Sequence, residues 1–149
     1  QLAADRPYMD LSRVGITGAS WGGYFVLRAM LTAPDVFHVG IAKAPGDLTE
    51  SQQINEPYMG LPRDNPEGYY KGSNPAAAKN LEGKLLIIHG TADRNSPFST
   101  TMRMVDALIL KNKRHDLVVL PQEDHYFRRH SRYVEELSIS YFKQHLLVK

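Results

Sequence analysis

A parallel α/β sheet layered with helices is the fold class that this 149-residue sequence predicts, and three observations predict it. Apolar runs of strand length at 14–17, 37–43, 84–89 and 116–120 alternate with longer segments at 22–31, 97–111 and 128–147 whose apolar residues recur at helical spacing. Lys84-Leu85-Leu86-Ile87-Ile88-His89 is apolar without alternation, as a strand buried on both faces is. Turn formers stand at the strand ends, Gly90-Thr91-Ala92-Asp93 after one run and Pro121-Gln122-Glu123-Asp124 after the next.

The first run leads into Gly18-Ala19-Ser20-Trp21-Gly22, which reads G-x-S-x-G between strand and helix. A sharp strand-to-helix turn lifts a serine hydroxyl clear of the sheet and sets it at a helix N-terminus, where the dipole and free N–H groups face it. Ser20 is therefore a candidate nucleophile. Side chains at position 18 or 22 are expected to crowd such a turn, and Gly23 to give further clearance. The five-residue pattern alone arises by chance in about one chain in twenty of this length, so the rest of the chain must supply its partners.

A serine hydroxyl needs a base, and the base needs a carboxylate to orient it. Asp93 follows the 84–89 strand and His125 follows the 116–120 strand. The chain order Ser20, Asp93, His125 is that of α/β-hydrolases, and ligands in open parallel sheets sit outside the carboxyl ends of the strands.

Other roles compete for these residues. His38, His115 and His145 read as ordinary surface or interface residues, and His89 as a packing or backbone-bonding residue before its glycine turn. His130 competes with His125 but falls about one turn into the last helical segment. Asp93 could be a turn former or helix cap before Ser96-Pro97, and Asp124 a cap of the final helix. No grouping of His, Asp and Glu has metal-ligand spacing, so no metal or other cofactor is implied.

In the 97–111 helix, Met104 and Leu108 with Val105, Ala107 and Ile109 form the apolar face, and Arg103, Asp106 and Lys111 face water. Tyr133, Val134, Leu137, Tyr141 and Leu146 do the same in the last helix. The 46–80 stretch is a Pro/Gly/Asn-rich excursion without repeats, expected to wall the substrate site. Eighteen Lys and Arg against sixteen Asp and Glu argue against a nucleic-acid module. The basic cluster 111–115 reads as a solvated helix end. No apolar run is long enough to span a membrane. The absence of cysteine excludes disulfides and a thiol nucleophile.

Gly-Ala-Ser-Trp-Gly-Gly-Tyr at 18–24, Pro-Tyr-Met-Gly-Leu-Pro at 57–62 with Asn65-Pro66-Glu67-Gly68-Tyr69, His-Gly-Thr-Ala-Asp at 89–93 and Glu-Asp-His at 123–125 together resemble the prolyl oligopeptidase superfamily of serine peptidases, in its dipeptidyl peptidase IV-like branch. The similarity runs over almost the whole chain. It implies an α/β-hydrolase-type sheet with Ser20 as nucleophile, Asp93 as acid and His125 as base. It implies further that the Trp21 backbone N–H donates to the oxyanion and that Asn95 holds a substrate carbonyl. The expected substrate is a peptide. The alternatives are an esterase of the same fold and a truncated, catalytically silent module kept for oligomerisation or binding.

The chain also departs from the family. Several aromatics usually follow Ala44-Pro45, where this chain has Gly46-Asp47-Leu48-Thr49-Glu50-Ser51-Gln52-Gln53, so the residue preferred before the cleaved bond is left open. Ser96 stands where valine is common and Tyr126 where glycine is. By the same resemblance, 1–149 is the carboxyl-terminal portion of a catalytic domain that lacks its N-terminal strands. The strand at 14–17 is then a free edge, and a homo-oligomer is expected.

Overall fold

The computed structural model describes residues 5–48 and 55–147. Four parallel strands, β1 (Gly15–Ala19), β2 (Val39–Lys43), β3 (Lys84–Gly90) and β4 (Asp116–Leu120), lie side by side in chain order. The register sets Ile41 beside Leu86, and Gly40 and Ala42 beside Leu85 and Ile87. Because strand side chains alternate, these pairs feed two cores. Ala42, Leu85 and Ile87 join Val26, Leu27, Met30, Leu31, Met104 and Leu108 on one face; Val39, Ile41, Leu86 and Ile88 join Phe127, Val134 and Tyr141 on the other.

The first face carries α1 (Trp21–Thr32). Gly40 lets it come close, since a Cβ there would stand 2.6 Å from Met30 Cγ. Three short helices follow: α2 (Glu56–Met59), α3 (Pro66–Gly72) and α4 (Asn74–Ala77), with a 3₁₀ turn at Ala78–Asn80. Each has a proline in its first turn, where the missing N–H costs nothing. The side chains of Asn65 and Ser73 cap α3 and α4 by accepting the Gly68 and Ala76 amides. The 46–80 excursion is thus partly helical, and its Pro, Asn and Ser residues are helix starts as much as loop formers. Its positions 49–54 lie outside the described residues.

α5 (Phe98–Leu110) completes the first layer and α6 (Ser131–Leu146) covers the second face. Met104, Leu108, Val134 and Tyr141 are buried as expected. Ile109 and Tyr133 are not: each sits one residue off its helix's buried stripe, and Ile109 is 63% exposed. Truncating Met30, Leu31 or Leu108, all fully buried, to alanine would cost about 2–5 kcal/mol each. Among the described residues no helix is long and apolar enough to cross a membrane.

Candidate active site

β1 ends at a strained turn. Ser20 has φ 57° and ψ −122°, a left-handed conformation that costs a non-glycine residue on the order of 1–3 kcal/mol. Backbone bonds hold it there: the Ser20 amide donates to Lys43 O at 2.9 Å, and Ser20 O accepts the Tyr24 and Gly46 amides at 3.0 Å each. Position 18 must be glycine, because a Cβ would lie 2.5 Å from the backbone of Gly22. Gly23 packs likewise against Lys43 O and Pro45. The expectation for position 22 is corrected: a Cβ there would meet nothing within 4 Å, so it is the Gly22 backbone, not its missing side chain, that the turn requires. The Ser20 side chain does not cap α1. The Trp21 amide, first in that helix, has no acceptor among the described residues.

The loops after β3 and β4 meet. His125 Nδ1 lies 2.7 Å from Asp93 Oδ2, with the Asp93 side chain fully buried and that of His125 nearly so. Asp93 Oδ1 accepts the amides of Asn95 and Ser96, both at 2.8 Å. Asp93 is therefore turn former and histidine partner at once, one oxygen for each task. Its second oxygen has another neighbour, His89 Nε2 at 3.2 Å. His89 is wholly buried, and burial, opposed by its bonds to Ser96 O and Asp93, pushes its pKa down. A neutral ring fixes the tautomer: Nε2–H donates to Ser96 O (2.9 Å) and Asp93, while Nδ1 accepts the Thr101 hydroxyl at 2.7 Å.

Asp93 and His125 are thus brought together, and Ser20 stands at the same carboxyl end of the sheet, two strands from β3. Among the described residues no hydrogen bond joins the Ser20 hydroxyl to His125; such bonds often tighten only around substrate. Asn95 is exposed and its side chain has no partner among the described residues. Next to His125, the Tyr126 ring meets the imidazole edge-on at 5.4 Å, under the Arg128 guanidinium. Asp47 is buried close to the turn, since its neighbour Gly46 bonds Ser20 O. Burial pushes its carboxyl up, against the pull of Arg103 at 3.4 Å.

Two expectations about the histidine loop are corrected. His130 is not inside the last helix but immediately before it, and its Nδ1 pairs with buried Glu123. Asp124 does not cap α6; it closes the turn at His125 by accepting the Tyr126 amide at 2.9 Å. The sequence reading missed Glu123 and the His89–Asp93 contact. An acidic residue that belongs neither to the strand nor to the helix flanking His125 was the available signal for the first.

The sequence profile of the prolyl oligopeptidase family matches residues 1–149. Dipeptidyl peptidase 8 of Mus musculus is 39% identical over 151 residues, which cover 98% of this chain and 16% of that protein. Among solved structures, a putative dipeptidyl aminopeptidase IV from Bacteroides ovatus superposes with a TM-score of 0.93 at 32% identity, over 97% of this chain and 21% of that one. Porphyromonas gingivalis dipeptidyl peptidase 4 gives 0.88 at 32% identity, over 96% and 21%. The chain spans between about a sixth and a fifth of the length of these relatives. The parallel sheet and its flanking helices are those of a partial α/β-hydrolase-type domain, and the chain belongs to the prolyl oligopeptidase family.

Proposed function

We propose that these residues are the carboxyl-terminal portion of the catalytic domain of a serine peptidase that cleaves short peptides in the manner of a dipeptidyl peptidase. The observation that carries this reading is the Asp93–His125 pair, 2.7 Å apart on the loops after β3 and β4, at the sheet end where Ser20 is held in a strained turn. With Nδ1–H committed to Asp93, His125 keeps Nε2 as the basic nitrogen. It takes the Ser20 proton as Oγ attacks the scissile carbonyl, and returns it to the departing amine. Water repeats the cycle on the acyl-enzyme. Asp93 holds the ring and stabilises the imidazolium. The Trp21 amide donates to the oxyanion, and Asn95 receives a substrate carbonyl. Peptide is favoured over simple ester because the relatives are named as peptidases.

The test is labelling with a fluorophosphonate probe in the intact protein, followed by turnover of dipeptidyl-amide, N-blocked peptide and ester substrates. Labelling should vanish in Ser20→Ala and His125→Ala, and only substrates with a free amino terminus should turn over well. Labelling that survives Ser20→Ala overturns the nucleophile; ester turnover without peptide turnover overturns the substrate class. At the edge of the sheet, β1 leaves Gly15, Thr17 and Ala19 exposed. Purified alone, the 149-residue chain is expected to self-associate along this strand, and a clean monomer in light scattering would refute that.

A further inference from the structure

Glu123 is 1% exposed, yet it belongs to no part of the proposed reaction. A carboxylate that deep needs partners for its charge, and those it has frame the histidine loop. One oxygen accepts the Arg129 amide at 3.2 Å; the other pairs with His130 Nδ1. Both partners lie beyond His125, so the side chain bridges from residue 123, before the histidine, to residues 129 and 130, after it. The backbone of the same residue reaches the other loop. Glu123 O accepts the Ala92 amide at 3.0 Å, next to Asp93, and fits against Gly90, where a Cβ would collide with it. One residue therefore ties the loop of the base to the loop of the acid. Burial works to raise the Glu123 carboxyl, but the bonds from His130 and from the Arg129 and Asp124 amides outweigh it and hold the group below the ordinary carboxylate value.

We infer that Glu123, with His130, is a positioning residue that fixes His125 against Asp93 by closing the 123–130 loop. The inference rests on the peptidase reading above. Among the described residues His125 itself is held by a single side-chain hydrogen bond, so its reach toward Ser20 depends on the loop's shape. Misplacement by about 1 Å costs on the order of 10²-fold in rate. Closure is a matter of bonds rather than charge: a neutral His130 can still donate Nδ1–H. A glutamine at 123 can accept the Arg129 amide and donate to His130 Nδ1 in its other tautomer.

The experiment compares kcat and KM for a dipeptidyl-amide substrate in the intact protein across Glu123→Gln, Glu123→Ala and His130→Ala, with Ser20→Ala as reference. Glu123→Ala is expected to lower kcat by about 10²-fold with KM within about twofold, because the substrate-binding surface is untouched. Glu123→Gln should recover most of that loss. His130 is 39% exposed at its side chain, so His130→Ala keeps the test decisive if Glu123→Ala does not fold; it should lower kcat in the same sense while KM holds. Full kcat in His130→Ala, or a glutamine variant as slow as the alanine one, overturns the inference. Full activity in Ser20→Ala would instead overturn the assignment of Ser20 as nucleophile on which the inference rests, so the two failures are distinct.

Discussion

The two halves of the candidate site are built by different physics. At the Ser20 turn, position is imposed by backbone: Ser20 is strained, its amide and carbonyl are both bonded, its side chain does not cap α1, and Gly18 is needed because Gly22's backbone stands 2.5 Å from where a Cβ would be. At the Asp93–His125 half, position is imposed by side chains. Asp93 gathers two amides and two imidazoles, and Glu123 closes the loop that carries His125. The difference teaches where each half is fragile. A steric turn fails when atoms are added; a bonded network fails when donors or acceptors are lost.

The largest break is expected in the network. Asparagine at position 93 retains one acceptor oxygen for four N–H groups and points an NH₂ at two of them. Asp93→Asn should lower kcat by about 10⁴-fold with the fold kept, as loss of the orienting carboxylate does in such triads. Near-normal steady-state turnover would show that the carboxylate does not orient His125.

The turn should break less completely. Gly18→Ala places a methyl against a backbone that cannot rotate away, so the turn must shift and carry Ser20 Oγ with it. A drop in fluorophosphonate labelling rate of about 10²-fold is expected from such a displacement. Unchanged labelling would mean that the turn has slack.

A pH effect separates the halves without touching the reaction. His89 is buried with its pKa lowered, so the unfolded chain binds a proton at this site before the folded one does. Stability from His89 is therefore present above the unfolded value, about 6.5, and declines as pH falls below it. Glu123 adds a second loss at lower pH: its folded pKa is depressed, so its contribution is present above the ordinary carboxylate value and disappears as pH falls through the folded one. Urea unfolding from pH 7 to 5 should show a slope that is shallower in His89→Gln. Equal slopes in the two proteins would contradict a neutral, buried His89.

The same contrast explains what could be read from the sequence. All four strands and the three long helices were legible, because apolar runs and helical stripes are local and repeat. Ser20, Asp93 and His125 could be singled out as candidates because each follows a strand end. The Glu123–His130 pair was not, since its meaning depends on a loop folding back over seven residues, and no local pattern encodes that. His130 was misread as helical because helix starts are blurred when the capping side chain is absent, as it is here. The short helices within 46–80 were hidden by prolines that serve helix starts and loops equally well.

The smallest effect sharpens the steric half. Gly22 lies inside the G-x-S-x-G pattern, yet its missing side chain faces open space, and its φ does not fall in the left-handed region. It is the second residue of α1, where alanine is preferred to glycine by up to about 1 kcal/mol because the unfolded chain has less freedom to lose. Gly22→Ala should therefore leave the turn intact and raise the unfolding midpoint slightly, measured by urea denaturation at constant m-value. Labelling by a small fluorophosphonate should proceed at the parent rate, since the added methyl meets no protein atom. If instead the variant folds well but reacts only with the smallest probes, the open space beside Gly22 is where substrate approaches. The glycine would then be kept for ligand clearance, while Gly18 is kept for the turn.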